Sequence, residues 1–241
     1  GLSALHSPNT GMVDFGAVAA AYAADIEAHG GEIRRGAPVR ALVEREDEVE
    51  AAGPGVRARR AVACAGAWSD RLALASGARP DVRIVPFRGA YLTLTQAGLV
   101  RGQIYPVPDP ALPFLGVHLS RTVSGDVLIG PTALLAPRRA PLRWPGTWRV
   151  MRRWWRTGLT EIAHAASHRL LLREARRFVP EIRSAGPGPH GYRAQAVGRD
   201  GGLVDDFLLA RTGRAVHVLN APSPAATASL AIAEEIASEV V

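Results

Sequence analysis

The feature that most constrains the fold is the segment AVHVLNAPSPAATASLAIAEEI, at residues 215–236. Its first five residues are an apolar run with Val at alternate positions, which is typical of an interior strand. We expect Ser223 to cap the helix that follows, with Pro224 at the first helical position, where its missing N–H costs nothing. The first turns carry only small side chains, so an anion or an electron-rich ring could approach the helix N-terminus. A strand, turn and helix that pack together without binding a ligand would explain the same sequence equally well.

The N-terminal part of the chain alternates between helix and strand patterns. Asp14 predicts the start of a helix that ends at Gly30. A strand pair is expected over residues 31–47, with a hairpin loop in the acidic, Gly-rich stretch that follows. Residues 59–78 predict a strand, a tight turn at Gly66 and a helix closed by a glycine. This order indicates a nucleotide-binding α/β layer rather than an all-β fold.

The middle of the chain shows a different pattern, typical of antiparallel strands. Residues 82–95 alternate like a strand, and residues 114–131 predict two strands joined by a loop around Ser124–Gly125. Residues 138–177 are expected to be helical, and SAGPGPHG (184–191) is expected to be a loop. Antiparallel strands inserted in an α/β layer indicate a second domain.

Composition limits the classes of partner. All 29 basic residues are Arg, so the net charge of +7 reflects uniform Arg usage and we expect no nucleic-acid partner. Eleven Arg and four Trp over residues 138–177 fit a solvated face above a Trp-bearing core, or peripheral contact with an anionic membrane. The single Cys64 excludes an internal disulfide, and the His spacing predicts no metal site. No apolar run could span a bilayer, so a cytoplasmic protein, at most peripheral at the inner face of the membrane, is expected.

Arg193 is the most informative polar residue. The stretch GYRAQAVGRDGGLVDDFLLA places it at the start of an extended run, ahead of a Gly-rich turn and the acidic pair Asp205–Asp206. An Arg held on a strand in a cleft binds a carboxylate through two parallel hydrogen bonds. A structural ion pair explains the same arrangement.

Eight segments in order resemble the L-2-hydroxyglutarate oxidases and dehydrogenases, which are FAD enzymes of the D-amino-acid-oxidase-like superfamily. They are LHSPNTGMVDF, VACAGAWSDRLA, RIVPFRGAYLTL, IYPVPDP, PFLGVHLS, GYRAQAV, LVDDF and HVLNAPSPAATASLAI. The resemblance covers nearly the whole chain, and the last motif is highly specific. It implies an α/β (α+β) fold, in which a partial Rossmann-like FAD-binding domain (12–80 and 191–241) carries an inserted antiparallel-sheet substrate domain (81–190).

The resemblance implies an activity. The intact enzyme would oxidise (S)-2-hydroxyglutarate, or a similar dicarboxylate 2-hydroxy acid, to the 2-oxo acid, with oxygen, a quinone or an electron-transfer flavoprotein as electron acceptor. His118 is the expected base, because an imidazole with a near-neutral pKa suits proton abstraction, and His6 is the second candidate. An amine or amino-acid oxidase of the same superfamily and a non-catalytic remnant are the alternatives.

The resemblance also assigns substrate and cofactor contacts. Arg193 is expected to bind the C1 carboxylate of the substrate. Arg88 or Tyr105 would hold the distal carboxylate, and Gln195 would orient the substrate. The turn after the last strand would face the pyrimidine edge of the flavin, on which negative charge accumulates during hydride transfer. The residues expected to contact FAD are Val39, Ala65, Gly66, Trp68, Asn220, Ala221, Pro222, Ser223, Pro224 and Ala225.

Three departures from the family pattern bear on substrate and cofactor. The family usually has an acid where this chain has Ala90, and an Asn where it has Thr132, which leaves the exact substrate open. Family members open with a strand, a GxGxxG turn and a helix, which hold the FAD pyrophosphate. No such strand–turn–helix arrangement is recognisable in a chain that begins at Gly1, so we expect an N-terminally truncated chain.

The 241-residue chain is accordingly expected to be purified without FAD. The turn that would hold the pyrophosphate is missing, and the segments CAGAW and 220–225 would contact only the two ends of the cofactor. The measurement is the visible absorption spectrum of the purified chain. A yellow protein with near-stoichiometric flavin would contradict this expectation.

Overall fold

The computed structural model describes residues 3–107, 116–137, 139–222 and 225–240, and the chain forms two compact units. Each unit is assembled from three separate segments of the chain. The first unit comprises Gly1–Gly31, Phe87–Leu135 and Trp154–Tyr192. The second unit comprises Glu32–Pro86, Ala136–Arg153 and Arg193–Val241.

Helices and strands alternate along the described residues. The strands are β1 (Ala41–Glu44), β2 (Val49–Ala52), β3 (Val56–Ala58), β4 (Ala61–Ala63), β5 (Val82–Leu94), β6 (His118–Arg121), β7 (Val127–Gly130), β8 (Leu134–Leu135), β9 (Ala185–Gly198), β10 (Leu208–Arg211) and β11 (Ala215–Asn220). The helices are α1 (Phe15–Ala28), α2 (Ser69–Ala75), α3 (Pro145–Arg153), α4 (Trp155–Ala166), α5 (His168–Ala175) and α6 (Ser229–Val240), and a short 3-10 turn (Gly66–Trp68) precedes α2.

A mixed set of strand pairs centred on β5 forms the framework of the first unit. The sheet order is β6-β7-β5-β8, and β9 also pairs with β5. The β6–β7, β5–β7 and β5–β8 pairs are antiparallel, as the alternating sequence of this region predicts. Leu119 and Ile129 lie opposite each other and are fully buried. Leu171 and Leu172 of α5 complete this core by packing against the sheet.

Two three-stranded sheets build the second unit. Strands β1, β2 and β3 form an antiparallel meander, and the other sheet has the order β10-β11-β4. The β11–β4 pair is parallel, with Ala63 opposite His217. Two small cores lie in this unit, one containing Leu42 and Val49 and the other containing Ile84 and Leu219. This mixture of helices with antiparallel and parallel strands confirms the predicted α/β class.

Local sequence signals placed several elements correctly. The Asp14 carboxylate accepts hydrogen bonds from the N–H groups of Gly16 (2.8 Å) and Ala17 (3.3 Å), which confirms it as the cap of α1. Gly66 has a φ of +53°, a left-handed conformation that glycine adopts without strain, at the predicted tight turn after β4. The predicted strand over residues 82–95 and the hairpin around Gly125 are also present.

The prediction for residues 31–47 is wrong in one respect. The structure contains one strand there, β1, and its partner is β2, which lies in the acidic stretch that was expected to be a loop. Val49 is buried, and the Glu50 carboxylate lies 3.0 Å from the Arg45 guanidinium and 3.6 Å from that of Arg57. Ion pairs on one face and a buried Val on the other stabilise a strand whose composition resembles a loop.

The prediction of a loop over SAGPGPHG is also wrong, because these residues form the first half of β9. A Cβ at Gly188 would lie 2.7 Å from the carbonyl oxygen of Tyr91, so only glycine allows β9 to approach β5 this closely. Residues 186–191 (GPGPHG) match the GxGxxG spacing, but they lie inside strand β9, and the next element along the chain is strand β10. They therefore do not form a phosphate-binding turn.

The last helix begins later than expected. Residues 225–228 form turns, and α6 starts at Ser229 rather than at Pro224. The Ala225 N–H donates to the carbonyl oxygen of Pro222 at 2.8 Å. Ser223 and Pro224 lie outside the described residues. Strand β11 ends at Asn220, and α6 thus begins nine residues later. No helix among the described residues is long and apolar enough to cross a membrane.

Gly188→Ala is expected to reduce the free energy of unfolding by about 1–3 kcal/mol, because the added methyl group overlaps the backbone of Tyr91. Gly186 of the same strand is the matched control, since no atom lies within 4 Å of the position of its Cβ. The measurement is urea unfolding of the two variants. Equal stability of Gly188→Ala and Gly186→Ala would contradict the close approach of β9 to β5.

Candidate active site

Two segments predicted to contact the cofactor lie at one edge of the second unit. Strands β4 and β11 are parallel neighbours, so the chain leaves both of them on the same side of the sheet. Ligands of α/β sheets bind at the carboxyl ends of parallel strands. The Ala65–Trp68 turn follows β4, and Ala221 follows β11. No atom lies within 4 Å of the position a Cβ would take at Gly66, so a ligand can approach this turn closely.

An apolar groove of about 430 Å³ lies beside these turns. It is lined by Val62, Cys64, Val218, Ala221, Ala225 and one face of α6. Burial raises the pKa of the Cys64 thiol, so this side chain is neutral at physiological pH although part of it is exposed. An open glycine turn beside small apolar side chains fits the approach of a flat ring system to the backbone.

Two other predicted cofactor contacts lie on the surface of the second unit. Trp68 is 52% exposed, and the Arg139 guanidinium lies 5.5 Å from the centre of its ring. Val39 is 40% exposed and precedes β1. Both side chains are accessible to a ligand, as a cofactor contact requires.

Asn220 and Gln195 are buried, and their side-chain amides form hydrogen bonds with backbone groups. The Asn220 amide donates to the carbonyl oxygens of Val204 (2.9 Å) and Asp206 (2.8 Å) and accepts from the Ala196 N–H at 3.3 Å. The Gln195 amide donates to the carbonyl oxygens of Ala196 (3.2 Å) and Val204 (3.0 Å). Both side chains therefore fix the segment that carries Val204–Asp206 against the ends of β9 and β11.

Arg193 lies on β9 two residues before Gln195. Partial burial lowers the pKa of its guanidinium, and the negative charge of Asp205 raises it. Part of Arg193 is exposed to solvent, and the guanidinium stays protonated at any physiological pH. The structure thus brings Arg193, Gln195 and Asn220 together around one segment. The result is a fixed positive charge on a rigid strand, which is what carboxylate binding requires.

His118 in the first unit has the properties of a general base. It lies on β6 opposite Gly130, and only 9% of its surface is exposed. Burial lowers the pKa of its imidazole, so the ring is neutral at pH 7. Its Nδ1 lies 3.1 Å from the carbonyl oxygen of Gly116, an acceptor, so Nδ1 carries the hydrogen. The other nitrogen, Nε2, is left with a lone pair that can accept a proton.

Two tyrosine rings flank His118. The Tyr105 ring lies 4.8 Å from the imidazole at an angle of 34°, and the Tyr91 ring lies 6.4 Å away in an edge-on arrangement. Burial raises the pKa of Tyr91, and Tyr105 adds to this effect, so the Tyr91 hydroxyl is neutral. Sequence reasoning missed Tyr91, although its place in the motif PFRGAYLTL three residues after Arg88 was visible.

Ala90 and Thr132, which the sequence analysis singled out for their bearing on the substrate, are hydrogen-bonded to each other. The Ala90 N–H donates to Thr132 Oγ1 at 3.1 Å, and the Thr132 N–H donates to the carbonyl oxygen of Ala90 at 3.0 Å. Arg88 is half-buried on β5 opposite Leu134. His6 is exposed in the segment that precedes α1.

His217 is a buried polar residue that sequence reasoning did not single out. It is fully buried at the centre of β11, between Ala210 and Ala63 on the neighbouring strands. Among the described residues neither ring nitrogen has a hydrogen-bond partner. Burial lowers the pKa of the imidazole, and the carboxylate of Glu44 opposes this effect only partly. No simple sequence signal could have found it, because the segment AVHVL predicts only that the position is interior.

Comparison with known proteins gives the class of this chain. Residues 2–239 match the family model described as DAO, FAD dependent oxidoreductase. The chain therefore belongs to the DAO family of FAD-dependent oxidoreductases. It is 38% identical to the mitochondrial L-2-hydroxyglutarate dehydrogenase of Caenorhabditis elegans over 271 residues, which cover 100% of this chain and 63% of that protein. The L-2-hydroxyglutarate dehydrogenase of Escherichia coli K12 is also 38% identical, over 100% of this chain and 62% of that protein.

The chain therefore spans less than two-thirds of the length of these relatives.

Solved structures show the same fold. The L-α-glycerophosphate oxidase of Mycoplasma pneumoniae, solved with FAD bound, has a TM-score of 0.56 and 19% identity over 82% of this chain and 48% of that chain. The glycine oxidase of Bacillus cereus has a TM-score of 0.52 and 14% identity over 83% of this chain and 50% of that chain. The predicted family and its cofactor, FAD, are confirmed by these comparisons.

His217→Met is expected to raise the free energy of unfolding by about 1 kcal/mol at pH 8, because it removes two buried nitrogens without partners in the described structure. The gain grows as the pH falls through 6.5, the ordinary imidazole pKa, since the unfolded chain then takes up a proton that folded His217 does not. The measurement is urea unfolding at several pH values between about 8 and 5.

His168→Met is the matched control, because His168 is exposed at the start of α5. It is expected to leave both the stability and its pH dependence nearly unchanged. A loss of stability in His217→Met, with the acid sensitivity of the unchanged protein retained, would show that His217 has a partner in solution.

Proposed function

We propose that the complete enzyme containing this chain oxidises (S)-2-hydroxyglutarate, or a closely similar 2-hydroxy dicarboxylate, to the 2-oxo acid. Two relatives of that printed activity are 38% identical over the whole chain. The observation that carries the proposal is the buried His118, whose Nδ1 is held by a backbone carbonyl and whose Nε2 lone pair can accept a proton. FAD, when bound, supplies the acceptor for the hydride that leaves C2.

His118 would take the proton of the substrate hydroxyl group. Loss of that proton and of the C2 hydride together removes two electrons and converts the alcohol to a carbonyl group. Burial keeps the imidazole neutral and ready to accept a proton. Once protonated it becomes a cation in a poorly solvated place, so it returns the proton readily to water or buffer after the product leaves.

Arg193 would bind the C1 carboxylate, and Arg88 or Tyr105 would bind the distal one. The rigid β9 strand and the buried Gln195 and Asn220 keep Arg193 in a defined direction. A carboxylate of the substrate would compete with Asp205 for the Arg193 guanidinium. The planar guanidinium would bind that carboxylate through two parallel hydrogen bonds. Tyr105 is 51% exposed, so its hydroxyl is available to a ligand, while its ring lies beside His118.

The cofactor would be held by backbone at the edge of the second unit. Ala65–Trp68 and Ala221–Ala225 follow the ends of two parallel strands, and Gly66 allows the close approach. Oxygen, a quinone or an electron-transfer flavoprotein would then take the electrons from the reduced cofactor.

Arg193→Met and His118→Asn are expected to affect different kinetic constants. The carboxylate is the same in substrate and transition state, so Arg193→Met should weaken binding by an amount on the order of 2–5 kcal/mol and raise KM. The proton moves only during the reaction, so His118→Asn should lower kcat by about 10²–10⁴-fold with little change in KM, and should remove the acidic limb of the pH–rate profile. The measurement is stopped-flow flavin reduction by (S)-2-hydroxyglutarate in the complete FAD-loaded enzyme.

The matched controls are His168→Asn and Arg35→Met, which alter exposed residues. A near-normal rate with the acidic limb intact in His118→Asn would show that another residue, with His6 the next candidate, is the base. Reduction by amino acids but not by 2-hydroxy acids would instead support an amino-acid oxidase of the same family.

A further inference from the structure

The first unit has its core on one face of the sheet, and His118 and Tyr91 lie on the other face. Leu119, Ile129 and Leu92 lie in register on β6, β7 and β5, and all three are buried in the core. Successive side chains of a strand point to opposite faces of a sheet. His118 precedes Leu119, and Tyr91 precedes Leu92, so both residues lie on the face away from this core.

Gly130 separates these two residues on β7, the strand between β6 and β5. It is the register partner of His118, and a Cβ at this position would lie only 3.2 Å from Cδ1 of Tyr91. The Tyr91 ring therefore occupies the space that the side chain of any other residue would need. Its centre lies 6.4 Å from the centre of the imidazole, in an edge-on arrangement. Glycine at position 130 thus allows the two rings to approach each other across the intervening strand.

Tyr105 completes a row of three rings on the other side of His118. Ile104 pairs with Leu119, so Tyr105 is placed beside the imidazole, with 4.8 Å between the two ring centres. Burial raises the pKa of the Tyr91 hydroxyl, and the charge that Tyr105 would carry adds to this effect, so Tyr91 keeps its hydrogen at physiological pH. An effect of one charge on the other group requires the two hydroxyl groups to lie near each other. The row therefore places two neutral hydroxyl groups around the candidate base.

We propose that Tyr91 is a further substrate-binding residue, whose hydroxyl group donates a hydrogen bond to the distal carboxylate of a dicarboxylate substrate. This role rests on the proposed function, in which His118 takes the proton of the C2 hydroxyl group. The rest of the substrate chain would then lie beside the imidazole, where the phenol rings offer apolar contact to its methylene groups and their hydroxyl groups offer donors. Tyr91 is half-buried and Tyr105 is 51% exposed, so a ligand can reach both. A hydrogen bond to an ionised carboxylate is about twice as strong as one between neutral groups.

The test compares glutarate with pentanoate, an acid of the same chain length that lacks the second carboxylate. Tyr91→Phe removes the hydroxyl group and keeps the ring beside His118. In the complete FAD-loaded enzyme it should weaken the binding of glutarate about 10- to 100-fold, as expected for the loss of a hydrogen bond to a charged group, and change that of pentanoate less than about twofold. Tyr22→Phe is the matched control, because Tyr22 is 36% exposed on α1, and it should bind both acids as the unchanged enzyme does. The measurement is isothermal titration calorimetry of each variant.

Two results would overturn this role for Tyr91. An equal loss of affinity for glutarate and pentanoate in Tyr91→Phe would show that the hydroxyl group contacts a part common to both acids. Unchanged glutarate affinity in Tyr91→Phe would show that the hydroxyl group binds no distal carboxylate, even where (S)-2-hydroxyglutarate reduces the flavin. Selective loss of glutarate binding in an enzyme whose flavin (S)-2-hydroxyglutarate does not reduce would support the role of Tyr91 and refute the proposed activity.

Discussion

The parallel register between β4 and β11 is the constraint on which the second unit depends. Ala61, Val62 and Ala63 lie opposite Ala215, Val216 and His217, and this register directs the chain out of both strands at one edge. The carboxylate of Glu44 fixes the approach to β11, since it accepts hydrogen bonds from the Thr212 hydroxyl and from the Arg214 N–H. Burial alone would raise the pKa of Glu44, but these hydrogen bonds lower it. A slip of one residue would move His217 to the opposite face and separate the two turns.

Small side chains surround His217 and line the groove at this edge of the sheet. Alanine lies opposite His217 on both neighbouring strands and offers no polar side-chain atom to the imidazole. The same smallness leaves the groove beside Cys64 and Ala221 open. Buried polar groups without partners are rare in folded proteins and often occur where a protein binds something or stores strain. The sheet that carries the candidate cofactor contacts thus also contains a buried imidazole for which the described residues offer no hydrogen-bond partner.

How much the sequence could predict depended on whether the deciding interaction was local. Asp14, Gly66 and Gly125 act on their own turns, and each of them marked its element correctly. Strand β9 could not be predicted, because a Gly–Pro segment becomes a strand only when Gly188 meets the backbone of Tyr91. The exposed apolar face of α4 could likewise not be predicted, since Trp155, Leu159 and Ile162 form the same sequence pattern whichever side of the helix faces the core. His118 was found as a candidate base from the family resemblance, but its tautomer depends on the Gly116 carbonyl.

Three contacts that shape the first unit involve one short segment, residues 130–133. Gly130 lies opposite His118, Thr132 exchanges hydrogen bonds with Ala90, and the Ala133 N–H holds the Glu161 carboxylate of α4. Three residues of one short segment therefore contact the strand of the candidate base, strand β5 and helix α4. Ala90 and Thr132 exchange two hydrogen bonds, and this exchange links β5 to the same segment.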